Sequence, residues 1–318
     1  MNKQDKPIIA VVGATGAQGG GLVRAILSDP EQRFTVRAVT RAPHSDKARE
    51  LARLGAQVVT ADLDDVSGLE RAFSGAQAAF CVTFYWEHLS PKQEIFHAQN
   101  LAKAAKLSRV PHVIWSTLED TRRFVPLSDS RMPTLMGEYK VPHLDAKGAA
   151  NQIFAELGVP TTYLYTSFYW DNFIYFGLGP KRNREGRLTL NLPMGEAKLP
   201  GIAAEDIGPC ALELFRRGVS VIGKNVGIAG DHLSGAEMAA ALTRAFGEPV
   251  QHGDISPAEF RGFGFPGADD LGNMFQFKRD FEREFRAARD LDQSRALYPG
   301  IQRFESWLAK NAGKIPRS

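Results

Sequence analysis

The stretch Ile8-Ile9-Ala10-Val11-Val12-Gly13-Ala14-Thr15-Gly16-Ala17-Gln18-Gly19-Gly20-Gly21-Leu22-Val23-Arg24 decides how the chain reads. Its apolar, mostly β-branched opening specifies a strand buried on both faces. Small residues then break the strand. A helical pattern follows, with Leu22, Val23, Ile26 and Leu27 on its apolar side. Glycines at 13, 16 and 19 fall where a dinucleotide demands a tight turn, close backbone approach and tight helix–strand packing. The free N–H groups and positive end of the helix then face a pyrophosphate. Ala14, Thr15, Ala17 and Gln18 complete the turn and join the glycines as candidate cofactor contacts. A merely flexible loop would not explain the pattern on either side.

Working outward, strand-like and helix-like segments alternate as far as about residue 165, which implies parallel βαβ units. After the first strand come 34–39, 57–60, 78–83, 112–116 and 161–165. Ser45 and Ser90-Pro91 are placed to cap helices, and Gly55, Gly75 and Gly158 to end them. A Pro-rich loop over roughly 119–142 is long enough to suggest a functional role. From Phe168 the rhythm changes to an aromatic cluster, a basic turn at Lys181–Arg184, and helices near 205–217 and 234–246. The expected architecture is α/β: a Rossmann-type doubly wound parallel sheet over 1–168, with a smaller α/β domain over 169–318 closing the cofactor cleft. A segment near 200–229 is a candidate for return to the first domain.

The chain has 318 residues, 43% hydrophobic and 24% charged, ordinary for a globular protein. A formal net charge of +3 is too small to argue for nucleic-acid or membrane binding. Two cysteines, Cys81 and Cys210, allow neither a disulfide framework nor a Cys-based zinc site. With no signal-peptide pattern and no run of membrane-spanning length, the cytoplasm is the expected location.

Strand ends are where open α/β sheets meet ligands. The second strand ends at Thr40-Arg41, with no acidic residue until Asp46. A carboxylate there would repel a 2′-phosphate, whereas a guanidinium can bind it through charge-assisted hydrogen bonds, so the pattern favours NADP over NAD. Arg41 otherwise reads as a solvated surface charge. Asp62, with Leu63, is placed to meet the adenine or to cap its own turn. Thr83 and Tyr85, around Phe84, follow the fourth strand and would lie along the nicotinamide ribose.

These residues together resemble the NmrA-like family of the atypical short-chain dehydrogenase/reductase superfamily, and within it the NADPH-sensing branch. The matching stretches are Gly13–Gly20, Val39–Arg41, Val82–Glu87, His143–Gly148, Tyr169–Asn172, Gly264–Ala268 and Asn273–Phe275. The resemblance implies NADP (NADPH) held between two domains, contacted by the glycine turn, Arg41, Thr83, Phe84, Tyr85, Lys147, Tyr169, Trp170, Asp171 and Asn172. It also suggests a homodimer. One lysine that the family places on the helix opened by Ser90 is replaced by Phe96, with Lys92 or His97 nearby.

Hydride transfer to a carbonyl requires a proton donor. The superfamily supplies a tyrosine four residues before a lysine, on one helix face. Here Lys147 is present, but position 143 is histidine, and Tyr139 lies eight residues upstream beyond Pro142. His143, Lys147 and Thr117 are therefore only weak catalytic candidates. No His-x-x-x-His or Glu-flanked metal spacing and no Gly-x-Ser-x-Gly elbow stands out. The expectation is a redox sensor or regulator acting through cofactor-dependent shape or a regulatory protein partner, with the 119–142 loop and the segment from Phe168 as its mobile parts. The alternative is an NADPH-dependent reductase of an aromatic or quinone-like substrate, with Phe84, Tyr85, Trp86, Phe168 and Trp170 as an aromatic wall.

Overall fold

The computed structural model describes residues 6–317. The first strand, β1 (Ile8–Val12), turns into helix α1 (Ala17–Leu27), and the alternation continues through β2 (Thr35–Thr40) and α2 (Asp46–Arg53). Then come β3 (Gln57–Thr60), α3 (Val66–Phe73), β4 (Ala78–Cys81), α4 (Pro91–Leu107), β5 (Val113–Thr117), α5 (Pro142–Glu156) and β6 (Thr161–Tyr165). Two serines start helices as their spacing requires: the Ser45 hydroxyl accepts from the Ala48 N–H, and that of Ser90 from Gln93.

These strands form one sheet in the order Asn225–Gly227, β6, β5, β4, β1, β2, β3. β1 pairs in parallel with both β2 and β4, so the order reverses beside the glycine turn, where a doubly wound sheet takes its ligand. The fold is Rossmann-like. Its core on one face runs from Leu69 and Phe73 through Leu101 to Phe154, with Trp115 stacked on Phe154 at 5.1 Å. Cys81 and Cys210 are fully buried, and burial pushes both thiols upward, out of the reactive range.

The chain divides into two compact units, each made of three segments. The first unit holds 1–120, 143–165 and 205–226; the second holds 121–142, 166–204 and 227–318. Close helix packing explains the return of 205–226. A Cβ on Gly208 would meet the backbone of Gly21 and Leu22, and one on Gly21 would lie 3.2 Å from the Glu205 carbonyl. Arg216 reaches the buried Asp29 at 2.5 Å, and the Thr162 hydroxyl donates to the Val221 carbonyl at 2.9 Å.

The Pro-rich loop belongs to the second unit because its polar groups are answered there. The fully buried Lys140 donates to the carbonyls of Asp129 and Met132, both at 2.7 Å, and Asn273 donates to those of Pro133 and Lys140. Lys140 thus folds the loop onto itself, and Asn273 fastens it to the second unit. The second unit also carries two three-stranded sheets: Asp231–Leu233, Leu199–Ile202 and Phe168–Tyr169, then Val250–His252, Leu188–Leu190 and Lys181–Arg182. Among the described residues, no helix is long and apolar enough to cross a membrane.

Candidate functional site

The glycine turn has the backbone geometry that its residues imply. Gly13 sits at φ +64°, the left-handed region that a side chain disfavours. Gly16 begins α1 in extended conformation, with no side-chain cap and no acidic residue in the first turn. That leaves helix N–H groups available to an anion. Gly19 is the packing position, since a Cβ there would run into the Gly13 carbonyl and sit 2.8 Å from that of Val12. Gly13, Gly16 and Ala17 are exposed at the top of the turn, Thr15 and Gln18 are half-buried, and Ala14 is covered. Gln18 is braced by the Ser116 hydroxyl, 2.7 Å from its Oε1. An uncapped helix behind a close-packed glycine turn fits a dinucleotide pyrophosphate.

Beside the turn, the end of β2 presents Thr40, buried, and Arg41, exposed. Thr40 Oγ1 accepts from the Ala42 N–H, shaping the bend after the strand. Arg41 is not a free cation: its Nη2 donates to both carboxylate oxygens of Glu87 at 2.7 and 2.8 Å. The hydrogen bond to Glu87 raises its pKa, burial opposes this, and the charges of Glu87, Asp62 and Asp64 add to the rise. Asp62 caps its own turn, accepting from the Asp64 N–H at 3.0 Å, and the Leu63 carbonyl accepts from Asn100 at 2.8 Å. Both are therefore occupied in shaping the loop after β3.

The end of β4 holds the most polar part of the interior. Lys147 Nζ lies 2.6 Å from Glu94 Oε1, 2.7 Å from Thr83 Oγ1 and 3.1 Å from the Thr83 carbonyl. Thr83 in turn donates to Glu94 at 2.5 Å. Three acceptors match the three protons of the ammonium. Glu94 is fully buried, and burial alone would raise its pKa. Burial is the largest single effect, but the Lys147 charge and the contacts with His88, Lys147 and Thr83 together outweigh it and bring the pKa down to about 2.

Glu94 was not among the residues that the sequence singled out. Its signal was a carboxylate on the same α4 stripe as Ala98 and Leu101, both fully buried. Gly148 escaped notice too: a Cβ there would strike the backbone of Glu119 and Asp120, so it seats α5 against the end of β5.

The expectation of no metal spacing needs correction, because His88, Glu94 and His97 bring donor atoms within 4.8 Å of one another. Two features argue against a divalent cation among them. His88 Nδ1 accepts from the Ser90 N–H at 3.1 Å, which leaves the proton on Nε2, 3.3 Å from Glu94 Oε2. The Glu94 carboxylate, moreover, already balances the Lys147 ammonium. His97 is held from its other nitrogen by Asp64 at 3.0 Å.

The catalytic candidates fare unequally. Thr117, 1% exposed, has its hydroxyl 2.7 Å from Asn151 Oδ1 and 3.1 Å from the Lys147 carbonyl, so it docks α5 against the end of β5. His143 is buried, with its ring 5.8 Å from Tyr85 and 4.9 Å from Trp86. Phe84 and Phe96 stand exposed and Tyr85 is buried.

The second-unit residues are committed to packing and local structure. Trp170, 1% exposed, packs against Phe304 and Trp307, and Phe168 against Phe173 and Phe275, so neither joins an open aromatic wall. Tyr169 places its hydroxyl 3.2 Å from Thr166 Oγ1, Asp171 accepts from the Ala204 N–H, and Asn172 opens a short helix.

A family model described as "NmrA-like family" matches residues 5–308. The "NmrA-like family domain-containing oxidoreductase lnbB" of Aspergillus flavus is 26% identical over 85% of this chain and 82% of its own. The "NAD(P)H azoreductase" of Xenophilus azovorans is 30% identical over 77% of this chain and 76% of its own. Among solved structures, the negative transcriptional regulator Nmra in complex with NADP superposes with a TM-score of 0.78, at 24% identity over 96% of this chain and 95% of its own.

Proposed function

Because the chain belongs to the NmrA-like family, we propose that it binds NADP(H) on the first unit and passes hydride to acceptors that take their proton from solvent. Quinones, azo compounds and related dyes are such acceptors. The observation that carries this reading is the state of Lys147. All three of its protons are engaged by Thr83 and Glu94, and the position one turn before it is histidine, not a phenol. A carbonyl reduction that needs a protein acid therefore lacks its donor. An electron-poor ring or azo bond does not need one.

When bound, the nicotinamide supplies the hydride. The residues of the chain do the rest. The N–H groups behind Gly16 would hold the pyrophosphate, and Arg41, shared with or released from Glu87, would hold the 2′-phosphate. Lys147, its charge balanced by Glu94, would brace the end of β4 where the nicotinamide ribose would lie. The relative from Xenophilus azovorans carries the name of an NAD(P)H azoreductase, which supports the same substrate class.

A second reading has support in the same missing acid: a redox sensor that reports cofactor level through its shape, as a homodimer or with a regulatory partner, and turns nothing over. Loss of NADPH absorbance on mixing with quinones, azo dyes and triphenylmethane dyes, with simple aldehydes as controls, separates the two. Turnover of the dyes or quinones but not the aldehydes is expected. If none is consumed while NADPH changes the hydrodynamic size or protease sensitivity, the sensor reading replaces this one.

A further inference from the structure

We infer that Glu87 sets how strongly this chain distinguishes the 2′-phosphorylated dinucleotide from the unphosphorylated one, by occupying Arg41 as an internal competitor. The inference rests on the cofactor reading above and adds to it a residue that opposes it.

Arg41 and Glu87 lie 46 positions apart, yet the fold brings them together, because β2 and β4 both flank β1 and their carboxyl ends open on the same edge. One guanidinium nitrogen, Nη2, donates to both carboxylate oxygens, and the other donors of Arg41 make no hydrogen bond among the described residues. A carboxylate gripped in this way presents to the guanidinium what a phosphate would, anionic oxygens that accept charge-assisted hydrogen bonds. A 2′-phosphate arriving at Arg41 meets a site that is already neutralised. It must displace Glu87 or accept a like charge in contact with the same cation.

The surroundings sharpen the competition. Asp62 and Asp64 also bear electrostatically on Arg41, so one cation is answered by three carboxylates. A ribose diol suffers no such penalty, because a hydroxyl can donate to a carboxylate. Arg41 and Glu87 are both about half exposed, at 56% and 47% of their side chains, so the pair is weak enough to open without disturbing the core. Glu87 therefore restrains a preference that Arg41 creates.

Calorimetric titration of the full chain and of Glu87→Gln with NADPH, NADH, adenosine 2′,5′-bisphosphate and adenosine 5′-monophosphate tests this directly. Glu87→Gln is expected to tighten the two 2′-phosphorylated ligands roughly fivefold, the scale of one exposed ion pair, and to leave the other two within about twofold. Glu87→Ala must act in the same direction, and thermal unfolding without ligand checks that both variants fold. An unchanged or smaller preference for the phosphorylated ligands overturns the inference, since Glu87 would then be a bystander or would be orienting Arg41 productively. Arg41→Met keeps the two possible failures apart. If it weakens NADPH and NADH equally, the 2′-phosphate reading itself falls. If it weakens NADPH alone while Glu87→Gln changes nothing, only the role given to Glu87 falls.

Discussion

The glycine turn and the Lys147–Glu94–Thr83 cluster lie at the ends of neighbouring strands, yet they are built on opposite principles. The turn is backbone: its shape comes from what is missing at Gly13, Gly16 and Gly19, and its helix end is left uncapped. The cluster is side chain, buried and charged, and each member answers another. A surface made of backbone is complete before a ligand arrives. A charged network can be complete only by spending its charges internally. The contrast sets a backbone cradle open to an anion against a cluster whose charges already face one another.

The largest expected effect comes from breaking the second site. Glu94→Ala leaves the Lys147 ammonium, 11% exposed, without its anionic partner. Removing one member of a buried pair costs about 3–5 kcal/mol, which chemical unfolding of the variant will measure. A loss below about 1 kcal/mol would mean that solvent already shares the pair, and the contrast between the two sites would soften. On the backbone side, Gly19→Ala drives a methyl group into the Gly13 carbonyl. Backbone cannot step aside as a flexible side chain can, so about 3 kcal/mol of stability and most NADPH affinity should go together. Retained binding would show that the cradle is looser than its packing implies.

How much of this was legible in the sequence follows from the same contrast. The turn, the six parallel strands through Tyr165 and the serine caps were readable because each depends on residues within a few positions of one another. Glu94 was not, because its partners Thr83 and Lys147 sit 11 residues before it and 53 after, and a lone carboxylate on a helix ordinarily reads as solvated. The pairing of Arg41 with Glu87 was hidden for the same reason: the arginine was legible, its resident counter-ion was not. Trp170 and Phe168 had the composition of a ligand wall, but only the packing with Phe304, Trp307 and Phe275 reveals them as core. A return near 200–229 could be suggested from the sequence, but not its reason, that Gly21 and Gly208 are small because two helices pack closely there.

A weaker probe separates the buried cluster from the rest of the first unit by pH. Burial lowers the His112 pKa to about 4, with its Nε2 2.9 Å from the Thr162 hydroxyl. The unfolded chain, with an ordinary histidine near 6.5, takes up the proton first, so stability falls as pH drops from about 6.5 to 4. Glu94 acts lower down. Its folded pKa lies below the unfolded one, so its contribution is present above about 4.5 and is lost as pH falls toward 2. His112→Gln should therefore flatten the upper window, sparing about 2 kcal/mol of loss at pH 5, and leave the lower one intact. Unfolding curves at a series of pH values will show whether the two windows are separable.

The smallest expected effect bears most on function. His143 occupies the place where a catalytic phenol would stand, one turn before Lys147 on α5. If the cluster has spent its charges internally, His143 contributes a ring packed against Trp86 and no proton, and Phe can replace it. His143→Phe should then change dye or quinone turnover by less than about threefold and leave the pH dependence of turnover unmoved. A general acid removed from a hydride-transfer site ordinarily costs about 100-fold or more. A loss on that scale, with a limb of the pH profile abolished, would make His143 the missing donor and extend the substrate range to carbonyls. A loss of NADPH affinity with turnover per bound cofactor unchanged would place the ring under the nicotinamide instead. The contrast between a ready backbone and a self-satisfied side-chain cluster stands only if neither occurs.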